Sequence, residues 1–187
     1  MQLRKILFIG PPGSGKGTQS KLLSQYELTQ ISTGDLIRRA WREEDSGIMQ
    51  YKSHIENGGF LPDREIFELI YKEIGNLSGA KGYILDGAIR NVSQARTALQ
   101  KNLVGEVLFF ELSEEEAMKR LRKRFLIEGR KDDSPEAISR RIMEYKTQTE
   151  PAILYMIENG MFVNPVNASQ SKENIHREIL EILDIAK

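Results

Sequence analysis

Gly10-Pro11-Pro12-Gly13-Ser14-Gly15-Lys16-Gly17-Thr18 directly follows an apolar run at residues 3–9 and leads into a stretch of helical pattern at 14–26, with Leu22 and Leu23 on its buried side. Gly-x-x-x-x-Gly-Lys between a strand and a helix is the setting of a phosphate-binding P-loop. Glycines let successive backbone N–H groups turn inward toward a polyphosphate. The helix N-terminus adds its positive dipole end, and Lys16 brings a compact charge to the outer phosphates. Gly13, Ser14, Gly15, Lys16, Gly17 and Thr18 are therefore the candidate phosphate-holding residues. The hydroxyl residue that usually follows the lysine is displaced by one position, to Thr18. A simple glycine-rich turn is the competing reading, and a lysine at this spacing after an apolar strand decides against it.

Outward from this loop, strand patterns recur at 28–31, 82–85, 106–112 and 161–164, each separated from the next by helical pattern. The run Val107-Leu108-Phe109-Phe110 suits a strand covered on both faces. Strict alternation of strand and helix predicts an α/β P-loop three-layer fold, a parallel five-stranded sheet with helices on both faces. Two stretches leave this alternation. Residues 32–75 form a helical excursion, with helices at 47–56 and 62–74 parted by Asn57-Gly58-Gly59, and residues 125–133 form a short lid. The core is then 1–31, 76–124 and 134–187 of one domain spanning 1–187. Ser113 and Glu116 make a capping box that opens a basic helix, and Ser134-Pro135 starts one long helix.

Composition narrows the function. The length of 187 residues, 40% of them hydrophobic, suits one domain with a sizeable core. Lys+Arg and Asp+Glu are 27 each, which removes the broad basic footprint of a nucleic-acid binder. There is no cysteine, hence no disulfide, thiolate zinc site or cysteine nucleophile. His54 and His176 are too few and too far apart for a metal site and are read as structural or surface residues. No apolar run is long enough to span a bilayer, and residues 3–9 are too short for a signal-peptide core. The expectation is a cytoplasmic protein with neither nucleic acid nor membrane as partner.

The charged residues define the chemistry. Arg120 and Arg124 stand four apart on one helix and share a face. Arg38, Arg90, Arg130 and Arg141 add forked donors of the kind that bind phosphate oxygens bidentately. Asp35 and Asp86 close strand-like segments, where α/β sites form. Asp132 and Asp133 are expected to pair ionically within the lid, and Trp41 to pack on a helix face. No general base is visible, and transfer to a phosphate needs none, because a phosphate monoester has a second pKa of about 6.

The form Gly-Pro-Pro-Gly-x-Gly-Lys-Gly-Thr is narrower than a general P-loop and resembles the adenylate kinases and the wider nucleoside monophosphate kinase family. The resemblance continues in order through Ile31-Ser32-Thr33-Gly34-Asp35-Leu36-Ile37-Arg38, Gly59-Phe60-Leu61-Pro62-Asp63, Leu85-Asp86-Gly87 with Arg90, Gln94, and the lid residues Arg120, Arg124, Arg130, Asp132, Asp133 and Arg141, covering about residues 5–155. It implies phosphoryl transfer from MgATP to AMP, giving two ADP. ATP would be held by residues 13–18 with Arg120 and Arg124. AMP would be held by Thr33, Gly34, Arg38, Gly59, Phe60, Leu61, Gly87, Arg90, Gln94, Arg130 and Arg141. Lys16, Arg90, Arg124, Arg130 and Arg141 would act in transfer, with Asp86 at the water shell of a Mg²⁺ that arrives with the nucleotide. Thr33 and Gln94 favour adenine as the acceptor base, where pyrimidine-monophosphate kinases tend to have Ala and Asn. The short lid, without cysteine, carries no thiolate zinc. The alternatives are a UMP/CMP-type or other small-acceptor P-loop kinase, and a weakly active nucleotide-binding sensor.

One segment departs from the family pattern. Ala88-Ile89 stands where the resembled kinases have Phe-Pro, typically with a cis bond before the proline. A cis bond before a residue other than proline costs about 2.5–4 kcal/mol, so the expectation is a trans bond and a less firmly placed Arg90.

Overall fold

The computed structural model describes residues 3–57 and 59–185; Gly58, one of the two glycines expected to part the helices of the excursion, lies outside them. Five parallel strands form one sheet in the order β2-β3-β1-β4-β5, with β1 Arg4–Ile9, β2 Leu28–Ser32, β3 Gly82–Asp86, β4 Glu106–Glu111 and β5 Val163–Asn167. Side chains alternate across β1. Leu7 and Ile9 enter one core layer with Tyr83, Leu85 and Val107, whereas Ile6 and Phe8 enter the other with Ile84, Leu108 and Phe110. The period of two therefore buries both faces, as the unbroken apolar runs require. The close packing of β1 on β3 also needs Gly82, where a Cβ would stand 2.5 Å from the Arg4 carbonyl oxygen.

The first layer is covered by α2 Thr33–Arg42, α5 Asp63–Gly75, α6 Val92–Gln100 and α9 Glu150–Glu158. The second layer is covered by α10 Lys172–Ile182 and by the end of α1 Lys16–Leu23. Between α2 and α5 lie two short helices, α3 Ser46–Met49 and α4 Lys52–Glu56. α7 Glu114–Glu128 and α8 Pro135–Glu144 pack on each other through Ala117, Leu121, Ile138 and Ile142, and a single turn of 3₁₀ helix at Lys131–Asp133 joins them.

Four of the elements named above depart from the sequence-based expectation by more than one residue. The first helix starts at Lys16 rather than 14, because Gly15 sits at φ 91°, outside the helical region, and a 3₁₀ turn at Ser24–Tyr26 follows it. The helix expected at 47–56 is two, divided by a turn at Gln50-Tyr51 in which Tyr51 packs against the core. The long helix expected from 134 breaks into α8 and α9 around a π turn at Tyr145–Thr149. Pro151 supplies the reason: it has no N–H to give and its ring crowds the carbonyl four residues back, so Glu150 bonds instead to Tyr145, five residues away. The last strand is shifted to 163–167, and Pro165 is tolerated there because β5 is an edge strand.

β1 connects to β2 on one side of itself and β3 connects to β4 on the other, so the chain reverses direction across the sheet at the β1–β3 pair. The crevice at the carboxyl ends of such a pair is where open α/β sheets bind ligands. Here those ends are Ile9 and Asp86.

Candidate functional site

The loop leaving β1 is shaped by glycine. Gly10, Gly13 and Gly15 have φ of 142°, 81° and 91°, a region that side chains disfavour. Gly10 also leaves no room for a side chain, since a Cβ would come within 2.5 Å of the Phe110 carbonyl oxygen. Lys16 then opens α1. Its Nζ folds back to donate to the carbonyls of Gly10 and Pro11, at 2.8 Å each, and to Ser14 Oγ at 3.1 Å. Burial pushes the Lys16 ammonium down to about 8; Asp86 opposes this, while Arg141, Arg90 and Arg124 reinforce it.

A cavity of about 420 Å³ opens above this loop. Gly13, Gly15, Lys16, Gly17 and Thr18 line one side, whereas Ser14 is buried beneath them. Asp86 stands opposite Lys16 at the end of β3. Burial pushes its carboxyl above the usual range, and Lys16 and Arg90 pull it back toward the charged form. Gly34, Phe60 and Gly87 also border the cavity.

All six arginines picked out in the sequence reach this space. Arg38 pairs with Asp35, Nη2 to Oδ1 at 2.5 Å. Arg120, on α7, donates to Glu116 and to the Ala168 carbonyl, each at 2.9 Å. Arg124 and Arg141 grip the two oxygens of Asp133, a carboxylate with no solvent exposure, and Arg141 also touches Asp132. The expected ion pairing of Asp132 and Asp133 is thus present. Arg130 pairs with Glu128, its close neighbour in the chain. Burial lowers Arg141, with Asp132 and Asp133 acting against it.

Arg90 differs from the expectation of loose placement. The described residues contain no cis peptide bond, so Ala88–Ile89 is trans. Ala88 and Ile89 are nonetheless 1% and 2% exposed, inserted in the core below the loop. Arg90 is held at four points. Its N–H donates to Gln94 Oε1 (2.7 Å), its carbonyl accepts from Thr149 Oγ1 (2.9 Å), its Nε donates to the Gly87 carbonyl (3.0 Å), and its guanidinium lies 4.9 Å over the Phe60 ring. Apolar anchoring from below and hydrogen bonds from α6 and the π turn replace the rigidity that a proline supplies. Burial lowers the Arg90 guanidinium to about 10, which leaves it charged at neutral pH.

A second, smaller cavity adjoins the first. Gly34, Gly59, Phe60, Leu61 and Gln94 line it together with Arg38, Arg90 and Trp41. Ile37, Ile55 and Ile66 complete a slot with apolar walls. Thr33 lines neither cavity. It is fully buried, and its hydroxyl donates to the Gly87 carbonyl at 2.9 Å. Trp41 packs against the core as expected, but its indole Nε1 is buried without a partner.

Sequence reading passed over Gln30, Tyr145 and Thr149, which also line the larger cavity. Thr149 had a usable signal: Pro151, two residues later, forces the π turn that aims it inward. Gln30 and Tyr145 had none, because a glutamine in a strand and a tyrosine in a helix are ordinary surface residues by pattern. Among the described residues no group of three His, Cys, Asp or Glu side chains is placed to hold a metal directly, and no helix is long and apolar enough to cross a membrane.

Comparison with known proteins bears on this geometry. Residues 8–161 match the family model described as adenylate kinase. The chain is 34% identical over 185 residues to the adenylate kinase of Leptospira biflexa, covering 96% of this chain and 99% of that one. It is 36% identical over 189 residues to the adenylate kinase of Parabacteroides distasonis, with 97% and 98% covered. It is 33% identical over 183 residues to adenylate kinase 1 of Nostoc sp., with 95% and 97% covered.

Proposed function

The chain belongs to the adenylate kinase family, and from that premise we propose how its residues divide the work. The enzyme transfers a phosphoryl group from ATP to AMP, yielding two ADP. The observation that carries the division is that Lys16 and six arginines face one cavity bounded on one side by the P-loop. Two polyanions must meet there, and the transferring group spreads charge over three equatorial oxygens. The protein's part is to position both nucleotides, neutralise that charge and exclude water.

The P-loop amides hold the donor β- and γ-phosphates, and Lys16 exchanges its bonds to the Gly10 and Pro11 carbonyls for phosphate oxygens. Arg120 and Arg124 face the donor from α7. Arg38 and Arg90 hold the acceptor phosphate, and Arg38 leaves Asp35 to do so. Arg90, Arg124, Arg130 and Arg141 converge on the transferring group. Gln94, with Gly34, Gly59, Phe60 and Leu61 as the walls, receives the AMP base. Thr33 and Gly87 support this side through their mutual hydrogen bond.

Asp86 fits a hydrated Mg²⁺ carried by ATP. It is the carboxylate facing Lys16, and its Oδ2 lies 3.3 Å from where a Cβ on Gly17 would be, so it borders the phosphate cradle. The ion would be held through its water shell by Asp86 and would neutralise β- and γ-phosphate charge. Residues 32–75 act as the AMP-binding excursion and 125–133 as a short lid on a single monomeric, cytoplasmic domain.

An acceptor panel in a coupled assay for ADP tests the reading. With ATP as donor, AMP exceeds UMP and CMP by at least about tenfold in kcat/KM, or about 1.4 kcal/mol, and turnover requires Mg²⁺. Equal use of CMP places the protein in the pyrimidine branch, and binding without ADP formation makes it a sensor.

Lys16 also predicts a pH profile. Only its ammonium attracts phosphate, and in the free enzyme it loses its proton near pH 8. kcat/KM for ATP therefore declines as pH rises through about 8. Bound polyphosphate keeps the proton on, so the matching decline in kcat lies at higher pH. A kcat/KM that stays level from about pH 7 to about pH 9.5 removes Lys16 from the donor site.

A further inference from the structure

Gln94 is 1% exposed, and its amide is committed on both ends. The Arg90 backbone N–H donates to Oε1 at 2.7 Å, and Nε2 donates to Asp63 Oδ1 at 2.8 Å. Asp63 opens α5 in the excursion, whereas Gln94 lies on α6, so the contact joins two separate parts of the chain. Asn91 closes the cluster. Its Nδ2 donates to the same Asp63 oxygen at 3.2 Å, and its Oδ1 caps α6 by accepting from the Gln94 N–H at 2.8 Å.

These partners fix which end of the amide is which. A backbone N–H can only donate, and an ionised carboxylate can only accept. Turning the Gln94 amide over would set its NH₂ against the Arg90 N–H and its carbonyl against the Asp63 carboxylate, two repulsive pairs in place of two hydrogen bonds. One N–H of Nε2 and one lone pair of Oε1 remain for whatever enters the smaller cavity that Gln94 lines. The 6-amino edge of adenine offers a donor at N6 and an acceptor at N1, which this orientation satisfies. A 6-oxopurine offers an acceptor and an N1–H donor in the reversed order and needs the amide turned over.

We propose that Asp63 is a positioning residue that determines acceptor specificity, locking the Gln94 amide so that the site accepts a 6-aminopurine nucleotide and rejects a 6-oxopurine one. This rests on Gln94 reading the acceptor base. Asp63 touches no reacting atom; it acts through Gln94. The rejection is strong because a wrongly matched base leaves buried polar groups facing like partners.

The test compares AMP with IMP, which differ at position 6, as acceptors for wild type, Asp63→Asn, Gln94→Ala and the double variant. Asparagine keeps the shape of the side chain but can donate or accept, so it removes one of the two repulsive pairs that oppose turning Gln94 over and leaves only the Arg90 N–H to hold the amide. In Asp63→Asn the AMP:IMP ratio of kcat/KM falls about tenfold, with the change in the acceptor KM values and the KM for ATP constant. Gln94→Ala lowers the ratio at least as far, and adding Asp63→Asn to it lowers the ratio no further. If Gln94→Ala lowers the ratio while Asp63→Asn leaves it at the wild-type value, the Asp63 assignment is overturned and the Gln94 reading survives. If Gln94→Ala leaves the ratio unchanged, both fall. A drop in melting temperature for Asp63→Asn with an unchanged ratio makes Asp63 merely structural and also overturns the proposal.

Discussion

Lys16→Ala leaves a folded protein whose kcat is lower by about 10²–10³-fold, the size of effect seen when one preorganised donor is removed from a transition state. The fold survives because Nζ bonds only to Gly10, Pro11 and Ser14 of its own loop, so truncation separates no packed elements. Alanine is also a better helix former than lysine at the start of α1. Burial already disfavours the ammonium in the empty site, so removing it costs the free protein little. The loss falls where phosphate charge develops. Circular dichroism and a thermal melt establish the fold, and single-turnover kinetics measure the chemical step. A folded variant with near-normal kcat would falsify the assignment of Lys16 to the phosphates.

Asp133→Ala is expected to damage stability and activity together. The Asp133 carboxylate has no solvent exposure and is shared by Arg124, through Nε and Nη2, and by Arg141, through Nη1. Arg124 belongs to α7 and Arg141 to α8, so this one side chain ties the two helices that frame the lid. Without it two guanidinium groups are left facing each other with their shared counter-ion gone. Arg141 keeps only its contacts to Asp132, at 3.0 and 3.3 Å. Removing one partner of a buried ion pair costs about 3–5 kcal/mol. The arginines retain some access to water, with 28% and 20% of their side chains exposed, so the lower end, about 3 kcal/mol, is expected. In a chain of this size that lowers the melting temperature by about 6–12 °C. kcat falls at least about tenfold if, as proposed, both guanidiniums act on the transferring group, because both lose the contact that aims them into the cavity. A melt and a turnover assay on Asp133→Ala and Asp133→Asn check this. A change under about 2 °C with kcat within about twofold in both variants rules out Asp133 as the tie.

The P-loop was legible because its requirements are local. Three glycines at positive φ and a lysine at the first helical position act within seven residues, so spacing alone states the geometry. The three central strands, β1, β3 and β4, were legible from apolar runs for a similar reason, since a strand buried on both faces is apolar at nearly every position, whereas the edge strand β5, Val-Asn-Pro-Val-Asn, has no such run and was expected two residues too early. Boundaries slipped where one residue outweighed the pattern, as Gly15 did at the start of α1 and Pro151 did at the π turn. The segment Ala88-Ile89 shows the limit of local reading. Its sequence argued for a loosened Arg90, yet contacts from Gln94, Thr149 and Phe60 fix that residue in place.

The amino-acid order by itself determined the sheet's class, the phosphate loop, the candidate arginines and the family resemblance, since each is written in short-range spacing or in ordered motifs. Only the tertiary structure decided the strand order, the burial of Thr33 away from both cavities, the sharing of Asp133 by two helices, and the lock between Asp63 and Gln94. Hydrogen-bonding groups choose their partners after packing has brought distant segments together. Asp63 and Gln94 are 31 residues apart and Arg90 and Thr149 are 59 apart, separations at which sequence pattern carries no information about which donor meets which acceptor. Burial then makes each such choice costly to reverse, because a polar group cut off from water must keep the partner that the fold supplies.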